Sequence, residues 1–318
     1  MSARLHVSTG DPAGVGPEIA ARAARELASE RRLVLYGDRA RLVAALEGTP
    51  VLDASDPAPA GMSVVDTGAV PDEVVAARAP TPQGGRAQLA ALDAAIDAAR
   101  TDGGAVVTAP TSKAAIERAG VPFTGQTEHL ARRAGLAEDA VTMMFLGPRL
   151  RVALATTHLA LRAVPDAVTA PRVERAVAHL LEALGRLGLA TPRVVVAALN
   201  PHAGEQGLFG HEDAEVLARA VHAFADTPGV EGPIGAETAF RRAAAGDVDA
   251  VVAMYHDQAT IASKLLDWGE AVNVTWGLPF VRTSVDHGVA YDAAAAGTVS
   301  VDGMRAALAL AARLTEAR

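Results

Sequence analysis

Short apolar runs rich in β-branched residues recur along the chain, each set beside a longer segment rich in Ala, Leu, Arg and Glu. LHVST (5–9) is followed by a helix-like stretch from Pro17, and LVLYG (33–37) precedes DRARLVAAL. AVVTA (105–109) follows GRAQLAALDAAIDAAR (85–100), and RVVVAAL (193–199) follows a long helical segment at 170–187. DAVVAMY (249–255) follows ETAFRRAAAG, and SVDGMRAALALAARL closes the chain as a helix. TMMFLG (142–147) and RVALAT (151–156) read as neighbouring strands joined at Pro148-Arg149. This rhythm predicts an α/β protein, a parallel or mixed sheet covered by helices. No internal repeat or low-complexity linker interrupts it; 48–60 and 78–85 are Pro- or Gly-rich loops.

In such sheets, ligands bind beyond the carboxyl ends of the strands. The unusual residues gather there: Gly10-Asp11 after LHVST, Pro110 to Lys113 after AVVTA, and His158 after RVALATT. Asn200, Pro201 and His202 follow RVVVAAL, and His256, Asp257 and Gln258 follow DAVVAMY.

Composition narrows the chemistry. Of 318 residues none is cysteine, so disulfides and thiolate metal sites are excluded and a metal must be held by His, Asp or Glu. A net charge of −8 gives no footprint for nucleic acid, and an anionic substrate would need a local cluster of Lys and Arg. The start MSARLHVSTGDP lacks the apolar core of a secretion signal, and the apolar stretches are broken by Arg, Glu or Asp. The expectation is a cytoplasmic protein that neither crosses a membrane nor binds nucleic acid.

His158, His202 and His256 are too far apart for a local zinc motif, yet parallel strands bring their ends together. Neutral imidazoles suit zinc and other transition ions, and three protein ligands with open positions suit catalysis. The blander reading of each is a surface or capping residue. The other histidines lack this placement: His179 and His222 lie in helical stretches and read as solvated, and His211 as the start of a helix. STGDPAGVGPEI (8–19) is a strand, a Gly-rich turn and a helix start, with Pro17 and Glu18 suited to the first turn. It is either a tight turn or a loop that approaches a cofactor; it is neither GxGxxG nor a P-loop. Lys113 begins a helix after TAPTS, where an anion could bind, and Lys264 falls two helical turns after His256. These are the only two lysines, and a lysine can serve as a base where arginine cannot. Asn273 and Arg282 flank a Gly-Leu-Pro turn that could hold a phosphate or carboxylate. In FTGQTEHLA (123–131) helix capping alone accounts for the Thr-Glu pair. Asp257 could orient a histidine or cap the helix after it.

Taken together, GDPAGVGPEI, APTSKAAI, GQTEHLA, ATTHLALR, LNPHAGEQGLFGHED, AMYHDQ and GLPFVRTSVDHG, in this order, resemble the 4-hydroxythreonine-4-phosphate dehydrogenase family of vitamin B6 biosynthesis. The resemblance covers nearly the whole chain. It implies an isocitrate/isopropylmalate dehydrogenase-like α/β/α fold of two lobes with a cleft between them. Lobe one is expected at 1–124 with 288–318, and lobe two, carrying metal, substrate and dimer surfaces, at 125–287. It implies His158, His202 and His256 as ligands of a divalent metal (Zn, Co, Mn or Mg). It makes Lys264 and His202 catalytic, and Gln126, Thr127, Lys113, Lys264, Asn273 and Arg282 substrate contacts. Gln126 stands where the family commonly has histidine. Gly10 and Asp11, with Asp286, His287 and Gly288 from the DHG segment, are the implied NAD or NADP contacts. The family is dimeric, with the metal site shared between subunits.

The implied reaction is oxidation of 4-phosphooxy-L-threonine to a 2-amino-3-oxo acid, which loses CO₂ to give 3-amino-2-oxopropyl phosphate. Relatives that oxidise 4-phospho-D-threonate or erythronate are the alternative within the family. A metal-dependent hydrolase and a degenerate binding protein are alternatives of other classes. The first predicts turnover without NAD, the second binding without turnover.

Overall fold

The computed structural model describes residues 4–56, 58 and 60–316. Among these, twelve strands form: β1 (Leu5–Ser8), β2 (Arg32–Gly37), β3 (Val51–Leu52), β4 (Gly61–Asp66), β5 (Ala105–Thr108), β6 (Thr142–Leu146), β7 (Arg151–Leu154), β8 (Val194–Ala197), β9 (Val230–Ile234), β10 (Ala250–Ala253), β11 (Val272–Trp276) and β12 (Arg282–Ser284). They divide between two compact units, Met1–Glu138 with Leu278–Arg318, and Asp139–Gly277. Residues 125–138 and 278–287, expected with the second lobe, therefore group with the first.

In the first unit the strand order is β3-β4-β2-β1-β5-β12, and every pair is parallel. Strands of a covered parallel sheet are buried on both faces and read as continuous apolar runs. LHVS and AVVT are such runs, buried along their length. The helix Pro82–Asp102 covers one face. Thr81 caps it by accepting from the Gly84 amide, Pro82 occupies its first turn, and Gly103 ends it with a left-handed φ of 74°. Its stripe Ala91, Leu92, Ala95, Ile96 and Ala99 meets Val34, Tyr36 and Val106. Truncating Leu92 or Ile96 to alanine would cost about 2–5 kcal/mol. The helices Gly16–Leu27 and Asp302–Glu316 pack on each other elsewhere in the unit.

In the second unit the order is β11-β6-β7-β10-β8-β9. The first two pairs are antiparallel and the rest parallel. β6 and β7 form the expected neighbouring pair, in register Phe145↔Val152. Their turn is held by the buried Asp267 carboxylate, which accepts from the Arg149 and Leu150 amides. Phe145, Val152, Leu154, Val195, Val251 and Ala259 form this unit's core. No helix among the described residues is long and apolar enough to cross a membrane.

Candidate active site

In the first unit a cation is held at the carboxyl end of β5. Arg282 begins β12 and is only 3% exposed. Its Nη2 donates to Thr108 Oγ1 at 2.8 Å and to Gln126 Oε1. Burial pulls its pKa down to about 10, with the Glu128 charge opposing, so the guanidinium stays protonated at neutral pH. Gln126 is fixed in turn, its Oε1 accepting from Thr108 Oγ1 and its Nε2 donating to Ala109 O and Thr111 Oγ1. Here the amide does what an uncharged partner must: it accepts from the arginine without neutralising it. The helix Gln126–Arg133 starts at Gln126 with Gly125 as its cap and no side-chain cap bond, so the expected capping role of this segment is not made; Thr127 is buried in the first turn instead. Lys113 is exposed at the start of the helix Lys113–Arg118, which Ser112 caps.

The expected cofactor segments also meet within this unit. The Val15 amide donates to Val289 O, and Tyr291 Oη donates to Asp11. Asp11 is buried; burial pushes its carboxyl above the usual range, opposed by hydrogen bonds from the Ala13 amide, Tyr291 and Gln88. Gly10 has φ 73°, and a Cβ there would lie 2.3 Å from Pro110 O, so close approach of the protein's own backbone explains this glycine. Asp286 is half-buried, while His287 and Gly288 are exposed, with His287 Nδ1 3.0 Å from Gly288 O. A cavity of about 300 Å³ opens beside the Gly10 loop, lined by Gly14, Asp38, Arg41, Thr67 and Arg78 among others.

In the second unit the ends of three parallel strands carry the histidines. The Ala155 amide donates to Ala253 O, and Thr156 Oγ1 donates to Met254 O, which fastens the loop of His158 to that of His256. The His158 and His256 ring centres stand 5.1 Å apart. Two imidazoles on one tetrahedral zinc, with bonds of about 2.0–2.1 Å, would have ring centres roughly 5 Å apart. His256 opens the helix His256–Leu266, and its Nδ1 lies 2.7 Å from Asp257 Oδ1, which leaves Nε2 as the nitrogen available to a ligand. That contact favours Asp257 as an orienting carboxylate. Lys264 is half-buried two turns along the same helix, and Asn273 is half-buried on β11.

His202 is placed differently. It stands exposed on a turn, Pro201–Gly207, in which His202, Ala203, Gly204, Glu205 and Gln206 all have left-handed φ and ψ. For its four non-glycine residues this costs roughly 1–2 kcal/mol each. Strain of this kind clusters at functional sites. The His202 ring lies 6.4 Å from that of Phe209. Among the described residues no group of three or more His, Asp or Glu is gathered as a metal set within one chain. The spacing of the His158–His256 pair fits two ligands of one cation.

The sequence alone does not single out Thr108 beside Arg282, Asp213 beside the His202 loop or Tyr291 on Asp11, and it names Gln258 without a role. Thr108 at the end of β5 and Gln258 on the first helical turn after β10 carry a local signal, a polar side chain where an apolar strand ends; Asp213 and Tyr291 carry none. His179, expected to be solvated, is half-buried against Thr142, and burial with the Arg175 charge lowers its pKa. His222 is exposed as expected. His6 is buried between Tyr36 and Asp102 and is structural.

Comparison with known proteins gives this geometry a context. The family model described as "Pyridoxal phosphate biosynthetic protein PdxA" matches residues 28–311. A 4-hydroxythreonine-4-phosphate dehydrogenase of Chromobacterium violaceum is 44% identical over 98% of this chain and 96% of that protein. A Cutibacterium acnes protein named provisionally as a D-threonate 4-phosphate dehydrogenase is 39% identical over 96% and 92%. The crystal structure of 4-hydroxythreonine-4-phosphate dehydrogenase from Klebsiella pneumoniae aligns with a TM-score of 0.82 at 35% identity, over 99% of this chain and 98% of that one. Isocitrate dehydrogenase from Methylococcus capsulatus aligns with a TM-score of 0.53 at 13% identity, over 97% and 84%, a likeness of fold alone.

Proposed function

The chain belongs to the PdxA family, and on that premise we propose that it is a nicotinamide-dependent dehydrogenase of a phosphorylated hydroxy acid, with 4-hydroxythreonine 4-phosphate as substrate. The observation that carries this reading is the His158–His256 pair at metal-sharing distance, with His256 opening the helix that also bears Lys264. His202, brought by a second copy of the chain, is the third ligand of this reading.

When bound, a divalent cation supplies positive charge at the substrate's secondary alcohol, and NAD or NADP accepts the hydride. Asp257 holds the His256 ring with Nε2 outward. Lys264 Nζ receives the alcohol proton as the C–H hydride leaves, giving the ketone. Arg282 keeps its charge despite burial, with Thr108 and Gln126 accepting from it, and with Lys113 and Thr127 it holds the substrate's anionic groups; Asn273 is a further substrate contact. The β-keto acid then loses CO₂, and the enolate left behind takes up a proton at carbon to give the amino ketone. Gly10, Asp11, Asp286, His287 and Gly288 border the nicotinamide cofactor.

The protein acts as a homodimer. Ile261, Leu265 and Trp268 lie along and just past the helix of Lys264, and are 61%, 79% and 80% exposed. The loops after His158 and His202 also expose Leu159, Leu161, Leu208 and Phe209. Large exposed apolar residues in such numbers mark a partner surface, and a second copy of the chain is the partner that could bring a third imidazole to a pair of histidines.

A D-threonate 4-phosphate is the second substrate reading, favoured by the Cutibacterium relative. The test is a panel of phosphorylated hydroxy acids, scored by reduction of NAD and of NADP with and without chelator. Chelator-sensitive reduction with 4-hydroxythreonine 4-phosphate is expected. Chelator-sensitive turnover of a panel member without cofactor reduction would establish the hydrolase instead.

A further inference from the structure

The segment 198–200 is the stalk on which the His202 turn stands, and side chains from elsewhere in the fold hold its main-chain polar groups. Gln258 Nε2 donates to Ala198 O at 2.9 Å, while Gln258 Oε1 accepts from the Met254 amide at 2.7 Å. One amide thus ties the end of β10, which leads to His256, to the end of β8, which leads to His202. The buried Asp213 carboxylate accepts from the Leu199 amide at 2.7 Å, the Asn200 amide at 3.1 Å and Asn200 Nδ2 at 2.9 Å. Asn200 Nδ2 also reaches Glu212. None of these donors to Asp213 is a cationic side chain, so the carboxylate is held by N–H groups alone. Asp213 opens a π-helical turn, Asp213–Leu217, an irregularity that is frequent at functional sites.

A left-handed run that begins two residues after Asn200 does not persist through its own preference; the surrounding structure must over-determine it. The stalk is where that determination enters. We propose that Gln258 and Asp213 are positioning residues for His202: together they clamp residues 198–200 and thereby hold the turn that presents its imidazole. Neither touches substrate or metal. The inference rests on the reading that His202 serves the metal centre.

The test is a titration of the full-length protein with cobalt(II) alone, followed by the visible absorption of the bound ion and by calorimetry. Asp213→Asn keeps the shape and removes the charge and one acceptor. Gln258→Glu keeps the acceptor for Met254 and removes the donor to Ala198. Each is expected to weaken cobalt binding by about 10–100-fold, the usual effect of losing a group that orients a ligand, and to shift the absorption band. Faster hydrogen exchange at the Leu199 and Asn200 amides should accompany the loss. A lower Tm with affinity and band unchanged would overturn the proposal, since that is all a structural role predicts. Should Asp213→Asn not fold, Gln258→Glu alone decides. His202→Ala separates the two layers: cobalt binding that survives it removes His202 from the metal, whereas binding lost in His202→Ala but intact in both clamp variants removes only the clamp.

Discussion

Arg282 lies out of the solvent with Thr108 and Gln126 around its guanidinium, while His202 stands on the surface at the head of a left-handed turn. Both are candidates for holding charged atoms, and the molecule supports them in different ways. A permanent cation can be buried once neutral oxygens accept its N–H groups, so the cost is desolvation and side chains meet it. An imidazole that must take up and release a cation has to remain open. The cost then falls on the backbone, as unfavourable φ angles, and it is met by hydrogen bonds further down the stalk. Substitution should therefore couple stability to function at the first site and separate them at the second.

The largest effect is expected from His202→Ala. Metal-dependent turnover should vanish while stability, read by urea unfolding, stays within about 0.5 kcal/mol, as for most exposed positions. Unfolding at much lower urea would erase the contrast between the two sites. Arg282→Ala should lower kcat/KM by two to three powers of ten and destabilise the fold as well. Its loss leaves buried acceptors unpaired, and breaking a buried charged contact costs about 3–5 kcal/mol. Unchanged stability would show that the nest is a binding surface only. Gln126→His should shift the ratio of kcat/KM between the threonine and threonate phosphates by about tenfold, the scale of a single buried hydrogen bond. An unaltered ratio would remove Gln126 from specificity.

The smallest effects concern pH, where two carboxylates of the two units should act with opposite sign. Asp11 titrates higher in the folded chain than in the unfolded one. Between the ordinary range and that raised value the native state binds more protons, so stability falls as pH rises through the window and is level above it. Asp249 is held low, first by the hydrogen bond from Arg193. Its contribution is present above the ordinary carboxylate pKa and is lost as pH falls through the lowered one. Stability curves of Asp11→Asn and Asp249→Asn should each lose one of these slopes; the same slope lost in both would refute the assignment.

The sequence made much of this visible, and the exceptions have physical reasons. Runs such as AVVT and AVVA announced buried parallel strands because both faces are covered, and the histidines at strand ends stood out against apolar neighbours. β12, with the sequence RTS, contains no apolar residue and is nevertheless buried, with Thr108 and Gln126 accepting from the Arg282 guanidinium and Thr283 donating to Ala307 O. No local pattern announces such a strand; only the fold does. β9 was hidden by the Gly-Pro within VEGPI. Gly204 and Gly207 hinted at a tight turn after Asn200, but a reversed hand at Ala203, Glu205 and Gln206 is contrary to their preference and follows from the stalk. The border between the units was misplaced for a similar reason: Gln126 belongs to the first unit through the Thr108 and Arg282 bonds, which link residues far apart in the chain.

The hand of that turn inverts a familiar rule of protein engineering. Replacing glycine by alanine ordinarily rigidifies a protein, because the unfolded chain loses freedom worth about 0.4–1 kcal/mol. At position 203 the alanine is the residue out of place, at about 1–2 kcal/mol, so Ala203→Gly should come out slightly ahead and a D-alanine introduced by chemical ligation further ahead still. A programme to make this protein hardier would do well to begin with a mirror-image residue in the loop that looks least able to tolerate one.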